Sequence, residues 1–358
     1  MSSTNDSWAV GNETSTTDGE ETPLLIGFDF GTSYTAVMSN RGHQQVFRSV
    51  VGYPKDMIGV KLLGEPYVVG DAAFEKRSFV DLRSPLKDGV LREYVERDME
   101  VARDFVDHTI NSIAKDGDEV AVIVGVPARA SNTNKDLMVQ VFEDFADTVQ
   151  VISEPFLVAY GRGSLVNSLV IDIGAGTVDI CALKGAMPGQ KSQITINKAG
   201  NFVDEQIEEL ILKSHPEVQM NIHMAQAIKE KHGFVGAVDA PVMADLRVDG
   251  KPAQFDITKE ISTACEMIVP GIIEGVEKLI QTCSPEDQGT MLNNIFLAGG
   301  GSRIQGLDKM IAERLVSFGD VQVSRVSDPT YAVAAGALKL AQELPPQYWD
   351  QLGSVTDN

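Results

Sequence analysis

The sequences IGFDFGTSYT at residues 26–35 and VIDIGAGTVD at residues 170–179 repeat one pattern. In each, an apolar strand runs into an aspartate, Asp29 or Asp172, which is followed by glycine and threonine. Glycine lets the backbone turn and approach a ligand closely, so each copy predicts a β-hairpin whose tip presents N–H groups to a phosphate. The aspartate of each tip then holds the water shell of a Mg²⁺ ion. Two such tips predict two similar subdomains that close on one nucleotide.

The length, charge and cysteine content limit what the chain can be. Its 358 residues, of which 43% are apolar, suffice for two domains with buried cores. A net charge of −21 argues against nucleic acid or an anionic membrane as the main partner, because a phosphate-binding surface needs clustered Lys and Arg. Cys181, Cys265 and Cys283 have neither disulfide nor zinc spacing, so we expect buried thiols in a reducing cytoplasm.

The N-terminal segment, residues 1–22, is polar and contains five acidic residues. Because it has little apolar surface to offset the entropy of ordering, we predict a disordered acidic tail. It lacks the basic and apolar regions of a signal peptide, and no apolar run in the chain approaches 18 residues. We therefore expect a cytoplasmic protein with no direct membrane insertion.

The order of predicted elements indicates an α/β chain in which three strands followed by helices occur twice. Strands are predicted at residues 24–30, 34–39, 45–50, 120–126, 149–152, 168–173, 178–184, 193–197 and 294–298. Helices are predicted after the cap Ser131, at 154–161, from Phe202, from Asn221, at 258–283 with a kink at Pro270, from about Arg303 and at 331–340.

This order also predicts the domain organisation. The tail at 1–22 is followed by a first domain at 23–163, which contains a small insertion at about 52–89. A second domain covers 164–330, and a C-terminal helix and tail at 331–358 return to the first domain. Each domain carries one of the two hairpins, so the nucleotide is expected in the cleft between them.

Three further segments make the pattern specific. They are SEPFLVAYG at 153–161, LAGGGSRI at 297–304 and YAVAAGA at 331–337. Together with the two hairpins, they occur in the order found in the superfamily of actins, heat-shock chaperone ATPases and sugar kinases, which this chain resembles. The resemblance implies an actin-like fold, with two duplicated domains built on ribonuclease H-like mixed sheets around a nucleotide cleft. It also implies ATP and ADP as ligands, together with Mg²⁺.

The same resemblance implies roles for individual residues. Asp29 and Asp172 organise the Mg²⁺ ion and the attacking water, although an aspartate can also simply cap its own turn. Glu154 positions or deprotonates that water, with a helix-start carboxylate favoured by the helix dipole as the alternative. The implied phosphate-binding residues are Gly31, Thr32, Ser33, Tyr34, Gly174, Ala175, Gly176 and Thr177. The implied adenine contact consists of Gly299, Gly300, Gly301 and Ser302.

The expected ribose-binding helix departs from the family pattern. The sequence AQAIKEK at 225–231 resembles a helix of the bacterial cell-shape actins in which an acidic residue stands three positions before a lysine. Lys229 fits that pattern, but Gln226 occupies the acidic position. An amide can still bond a ribose hydroxyl, so both residues are candidate nucleotide contacts. The alternative for Lys229 is a solvated charge on an amphipathic helix.

Other segments indicate the branch of the superfamily. RSPLKDGV at 83–90 resembles the cell-shape actins, while SVVGYPKD at 49–56, GVPARA at 125–130 and ELPPQYW at 343–349 are similar to the magnetosome-associated bacterial actins. That likeness implies an ATPase that assembles with itself into cytoplasmic filaments, which align and position magnetosome organelles through adaptor proteins. A monomeric small-molecule kinase or chaperone-like ATPase is the alternative, but neither a substrate-binding region nor a hydroxyl-directed acid is visible.

Overall fold

The structure is a computed structural model of the chain and describes residues 22–92, 95–345 and 349. The predicted tail at 1–22 and the end of the predicted C-terminal tail therefore lie almost wholly outside the described residues. The strands are β1 Leu24–Phe30, β2 Tyr34–Ser39, β3 Gln44–Arg48, β4 Val51–Pro54, β5 Val68–Val69, β6 Val80–Arg83, β7 Val120–Val126, β8 Thr148–Ser153, β9 Val166–Ile173, β10 Val178–Lys184, β11 Gln193–Ile196, β12 Met243–Val248, β13 Lys251–Asp256, β14 Ile295–Ala298 and β15 Val323–Arg325.

The helices alternate with these strands along the chain. They are α1 Met57–Leu63, α2 Asp71–Glu75, α3 Glu96–Asn111, α4 Asn132–Phe142, α5 Glu154–Arg162, α6 Gly200–Ser214, α7 Ile222–His232, α8 Thr258–Glu266, α9 Val269–Gln281, α10 Pro285–Leu292, α11 Leu307–Leu315 and α12 Ala332–Glu343. Across the described part of the chain, every helix is too short or too polar to span a lipid bilayer.

Two five-stranded mixed sheets share one topology. Their strand orders are β3-β2-β1-β7-β8 and β11-β10-β9-β14-β15. In each sheet, a hairpin pairs antiparallel and its first strand then pairs parallel with a later strand. Smaller sheets of order β5-β4-β6 and β12-β13 are attached to them. The predicted α/β duplication is therefore confirmed, while the residue limits of the domains stay predictions.

The helices α5 and α12 pack between the two large sheets. One buried apolar cluster contains Ile123 of β7, Val170 of β9, Leu157 of α5 and Ala337 of α12. Backbone contact makes this packing possible, because a Cβ atom on Gly336 would lie 1.9 Å from the Leu157 carbonyl oxygen. The two sheets thus meet through a helix pair that has no space for an additional methyl group.

Two predicted helices differ from the structure. The segment 258–283 forms two helices, because the first ends at Glu266 and Pro270 lies in the first turn of α9. Proline lacks an N–H group, so it fits a first turn better than a helix interior. The helix expected from about Arg303 begins at Leu307, because residues 300–303 form a 3₁₀ turn.

A hairpin was also absent from the sequence interpretation. Strands β12 and β13 pair antiparallel around Asp249 and Gly250, which have φ values of 50° and 77°. Two consecutive positive φ angles are typical of a type I′ turn, and Asp-Gly is a strong sequence signal for it. The strand predicted at 45–50 also ends early, at Arg48, and the chain then enters β4 of a separate small sheet.

The tight helix pair leads to a stability prediction. We expect Gly336→Ala to lower the free energy of unfolding by about 1–3 kcal/mol, because the new methyl group would overlap main-chain atoms of α5. The control is Gly289→Ala in α10, where no atom lies within 4 Å of the added Cβ. That control should leave stability unchanged or raise it by up to about 1 kcal/mol, since alanine favours helix. Denaturant unfolding measures both, and equal stabilities would contradict the packing described.

Candidate functional site

A cavity of about 750 Å³ lies between the tips of the two hairpins. Nearly all the residues proposed from the sequence line it, namely Asp29, Gly31, Thr32, Ser33, Tyr34, Glu154, Asp172, Gly174, Ala175, Gly176, Thr177, Gln226, Lys229, Gly299, Gly300 and Gly301. Ser302 is not in the lining; it is buried, and its hydroxyl donates to the Gly299 carbonyl at 2.7 Å. Its position therefore gives no support to a nucleotide contact.

The two hairpin tips approach each other closely. A Cβ on Gly176 would lie 2.6 Å from the Thr32 hydroxyl oxygen and 2.6 Å from the Asp88 Cα. Glycine is therefore required where the second turn meets the first. The Gly89 N–H donates to the Thr32 hydroxyl at 2.7 Å, so the segment between β6 and α3 contacts the first turn.

The N-terminus of α6 supports the second tip and was not identified from the sequence. The Gly200 and Asn201 N–H groups donate to the carbonyls of Gly174 at 3.1 Å and Ala175 at 2.7 Å. The Ser33 hydroxyl in turn donates to the Asn201 side chain at 3.3 Å. Ser33, Gly200 and Asn201 all line the cavity, so the start of α6 contacts the tips of both hairpins. A glycine before an amphipathic helix was the only sequence signal available.

Four carboxylates lie near one another at the cavity. Asp29, Glu154 and Asp172 line it, and Asp179 lies opposite Asp172 in the β9–β10 pair. Burial raises the pKa of Asp29 to about 7. Burial, and then the charge of Asp29, raises the pKa of Asp172 well above its usual value, and the pKa of Glu154 rises for the same two reasons. The ionised forms of these carboxyl groups are therefore disfavoured, and a cation in the cavity would offset that cost.

Asp179 is the carboxylate that the sequence interpretation did not assign. Its Oδ1 atom accepts hydrogen bonds from the Ala128 N–H at 2.8 Å and the Thr195 hydroxyl at 2.5 Å, while its Oδ2 atom is buried with no hydrogen-bond partner. Burial raises the pKa of Asp179, and hydrogen bonds, led by the one from Thr195, reduce that rise. The available sequence signal was that Asp179 is the last residue of the second motif, VIDIGAGTVD. The pairing of β9 with β10 places this residue opposite Asp172.

The carboxylates around the cavity are compatible with a hydrated divalent cation. Within the described residues, no three His, Cys, Asp or Glu side chains are placed to hold one metal ion directly. Mg²⁺ prefers oxygen ligands and keeps several waters, so carboxylates around a cavity can hold it through those waters. The raised pKa values of Asp29, Glu154 and Asp172 are consistent with a site that a cation would stabilise. The residues are thus compatible with the water-mediated Mg²⁺ contact expected from Asp29 and Asp172.

The position of Glu154 is compatible with both roles that the sequence allows, a contact to the attacking water and a carboxylate at a helix start. It is the first residue of α5, where a negative charge is favoured by the helix dipole, and it also lines the cavity. Its Cγ lies against Gly125 of β7, where an added Cβ would come within 3.1 Å. Burial, and then the charges of Asp29, Asp179 and Asp172, raise the pKa of Glu154, and a raised pKa makes a carboxylate a stronger base. Its position is therefore compatible with either role.

The helix α7 forms another wall of the cavity. Lys229 is not a solvated charge, because its Nζ atom lies 2.8 Å from Asp204 Oδ1 and donates to the Gly200 carbonyl at 2.8 Å. Burial raises the pKa of Asp204 to about 6 in spite of this ion pair. The Gln226 amide donates to Glu230 at 3.0 Å, and Glu230 lines the cavity as well. An acidic residue is thus present on this wall, one turn after the position at which it was expected.

The glycines 299–301 lie against the end of β9. Gly299 has a φ of 72°, and a Cβ at this position would come within 2.3 Å of Asp172 Oδ1. A side chain there would displace one of the central carboxylates, so glycine is required for their arrangement. The backbone of this turn is thereby open to a ligand in the cavity.

The chain is similar in sequence and in fold to known bacterial actin-like proteins. A family model described as "MreB/Mbl protein" matches residues 24–347. The curated actin-like protein MamK of Paramagnetospirillum magneticum is 52% identical over 335 residues, which are 93% of this chain and 96% of the relative. A MamK double helical filament matches with a TM-score of 0.88 at 51% identity, covering 90% of this chain and 99% of that chain. A non-polymerising MamK mutant bound to AMPPNP matches with a TM-score of 0.71 at the same identity and coverage.

The buried carboxylates lead to a prediction for the protein without ligands. Asp29 retains its proton in the folded state up to about pH 7 but loses it near pH 4 when unfolded. The folded state therefore binds more protons between pH 4 and pH 7, so this residue lowers stability progressively as the pH rises through that window. Unfolding curves in EDTA should show Asp29→Asn equal to wild type near pH 4 and more stable than wild type at pH 8.

The control for this prediction is the exposed Asp245, which lies in β12. Asp245→Asn should change stability little, because the side chain is exposed. A constant difference between Asp29→Asn and wild type across the window would contradict the assignment of a raised pKa to Asp29.

Proposed function

The chain belongs to the MreB/Mbl family of bacterial actin-like proteins, and we propose that it is an ATPase that assembles into filaments. The observation that carries the proposal is the convergence of two matching turns and their carboxylates, one from each sheet, on a single cavity. One similar structure has AMPPNP bound, which supports nucleotide binding by this chain. Another is a filament, which supports self-assembly.

We propose ATP and ADP as the ligands of the cavity, together with Mg²⁺. A bound magnesium ion supplies the positive charge that offsets both the phosphates and the surrounding carboxylates. Asp29 and Asp172 would hold its water ligands, since they lie at corresponding positions of the two hairpins. The backbone N–H groups of the turns at 31–34 and 174–177 would bind the phosphates. Gly299–Gly301, Gln226, Lys229 and the neighbouring Glu230 would contact the nucleoside.

For hydrolysis, we propose that Glu154 positions the attacking water and accepts its proton. Its carboxylate lies in the same cavity as both turns, and its raised pKa favours uptake of a proton. Glu154 also begins α5, which packs against α12 between the sheets. Loss of the γ-phosphate on hydrolysis changes the charge next to Glu154, and this change would bias the angle between the two domains. A different domain angle would in turn weaken the contacts between subunits of the filament.

The cellular role is proposed from the same relatives. Actin-like proteins named MamK are 52% identical to this chain in two species. We propose cytoplasmic filaments of this chain that align and position magnetosome organelles, with adaptor proteins as the connection. The segments at 49–56 and 125–130, which lie outside the nucleotide cavity, were the sequence features that pointed to this branch.

Sedimentation with and without nucleotide tests the assembly. The full chain with ATP and Mg²⁺ should pellet at high speed and form filaments in negative stain, and it should remain largely in the supernatant without nucleotide. AMPPNP should give filaments that persist, because they are not hydrolysed. A chain that hydrolyses ATP yet stays monomeric in every nucleotide state would instead favour the monomeric ATPase.

The proposed base gives a second prediction. Glu154→Gln keeps the shape of the side chain but cannot accept a proton, so we expect phosphate release to fall by about 10²-fold or more. Nucleotide affinity should change little, and filaments should persist longer after ATP is consumed. The control Glu143→Gln alters an exposed residue at the end of α4 and should match wild type. Unchanged hydrolysis in Glu154→Gln would reject the assigned role.

A further inference from the structure

Five side chains form a continuous stack between the first large sheet and helix α7. Tyr34 of β2, Arg48 of β3 and Phe74 of α2 come from one side, and His223 and Glu230 of α7 come from the other. The Arg48 guanidinium carbon lies 5.2 Å from the centre of the Tyr34 ring and 4.3 Å from that of the Phe74 ring. A guanidinium held between two aromatic rings is stabilised by cation–π attraction on both sides.

Both ends of this stack contact α7. At one end, the Phe74 ring meets the His223 ring edge to face, with 5.2 Å between the ring centres. At the other end, the Tyr34 hydroxyl donates a hydrogen bond to Glu230, and burial, followed by the charge of Glu230, raises the pKa of Tyr34 to about 12. Seven positions separate His223 from Glu230, which is about two helical turns, so both residues lie on the same side of α7.

The stack is anchored separately on each side. Arg48 forms an ion pair with Asp71 at 3.3 Å, and the Arg77 guanidinium carbon lies 4.7 Å from the centre of the Phe74 ring. On the other side, α7 is held by Ala225, which is buried in the apolar core of the second large sheet. The stack therefore joins two parts of the molecule that are packed independently of each other.

The stack extends from the cavity to the surface. Tyr34 and Glu230 line the cavity, whereas Phe74 and His223 lie outside it, and His223 is exposed. The helix α2 packs on the small sheet β5-β4-β6. Separation of this small sheet from α7 requires both contacts to break, and it would widen the cavity on this side.

We propose that the contact between Phe74 and His223 is an outer latch on the cavity, which slows the release of bound nucleotide. The inference rests on the proposed nucleotide site and adds residues that determine how long the nucleotide stays there. Loss of a contact that holds a site closed speeds dissociation, while the chemistry inside the closed site continues at its own rate. Arg48 is a positioning residue in this latch, because it holds the Phe74 ring against its own stack on Tyr34.

The first test removes each side of the latch. Phe74→Ala and His223→Ala should each raise the dissociation rate of a fluorescent ADP analogue by about fivefold or more, because each variant loses an aromatic contact. A stopped-flow chase with excess ADP measures this rate, at a protein concentration below that needed for assembly. Single-turnover hydrolysis of bound ATP should match wild type. The controls Phe318→Ala and His43→Ala change exposed rings elsewhere and should release ADP at the wild-type rate.

A double-mutant cycle tests whether the two rings act through each other. If they do, Phe74→Ala/His223→Ala should release ADP no faster than the more affected single variant. Effects that multiply in the double variant would show independent roles and overturn the latch.

Arg48→Lys tests the positioning role of the stacked guanidinium. Lysine keeps the positive charge but cannot stack as a planar group, so release should become about threefold faster or more. A wild-type rate of release in Arg48→Lys would reject this role.

Crosslinking tests the closed state of the latch. Phe74→Cys/His223→Cys, treated with a short bis-methanethiosulfonate crosslinker, should retain bound ADP at least about tenfold longer than the untreated variant, and dithiothreitol should restore its release. Cys181, Cys265 and Cys283 are buried, so the engineered pair is the accessible one. Each single cysteine variant serves as a control. Release from the crosslinked protein at the untreated rate would overturn the proposal.

Failure of the latch is distinguishable from failure of the nucleotide site. If the wild-type chain binds no fluorescent ADP, the proposed function itself is rejected. If the wild-type chain binds it, and Phe74→Ala and His223→Ala both release it at the wild-type rate, the site stands and the latch is rejected. If Phe74→Ala speeds release and His223→Ala does not, Phe74 acts within its own half of the molecule, and the contact with α7 is rejected.

Discussion

Burial of four neighbouring carboxylates is the physical condition that the surrounding fold has to accommodate. Asp29 comes from one sheet, Asp172 and Asp179 from the other, and Glu154 from the helix between them. Burial raises the pKa values of all four, and repulsion from neighbouring carboxylates raises those of Glu154 and Asp172 further. Such an arrangement persists only if the surrounding fold keeps it in place, and it becomes favourable when a cation shares the site.

The fold supplies that support through contacts that cross between the domains. Asp179 accepts the Ala128 N–H, Ser33 donates to Asn201, and Gly176 fits against Thr32 without space for a side chain. The glycine contact between α5 and α12 fixes the position at which Glu154 enters the cavity. The contacts that hold the carboxylates therefore also join the two sheets.

The sequence was sufficient for the features that local chemistry determines. The repeated Asp-Gly-Thr pattern predicted both hairpins, and the glycine-rich turn and the helix at 154–161 lie in the structure where the sequence indicated. Features that depend on tertiary contacts could not be predicted. Pro270 begins a second helix, Ser302 bonds back to Gly299, and Asp179 reaches the carboxylate cluster only through the pairing of β9 with β10. The acidic residue on α7 is Glu230, whose place on the cavity wall depends on the orientation of the helix.

The central claim is that these carboxylates form a cation-dependent nucleotide site, and isothermal titration of the full chain with ATP tests it directly. Titrations with Mg²⁺ and with EDTA should differ in affinity by at least tenfold, which is about 1.4 kcal/mol, and Asp172→Asn should remove most of that difference. Equal ATP affinity in both buffers, or a magnesium effect that Asp172→Asn leaves intact, would contradict the account.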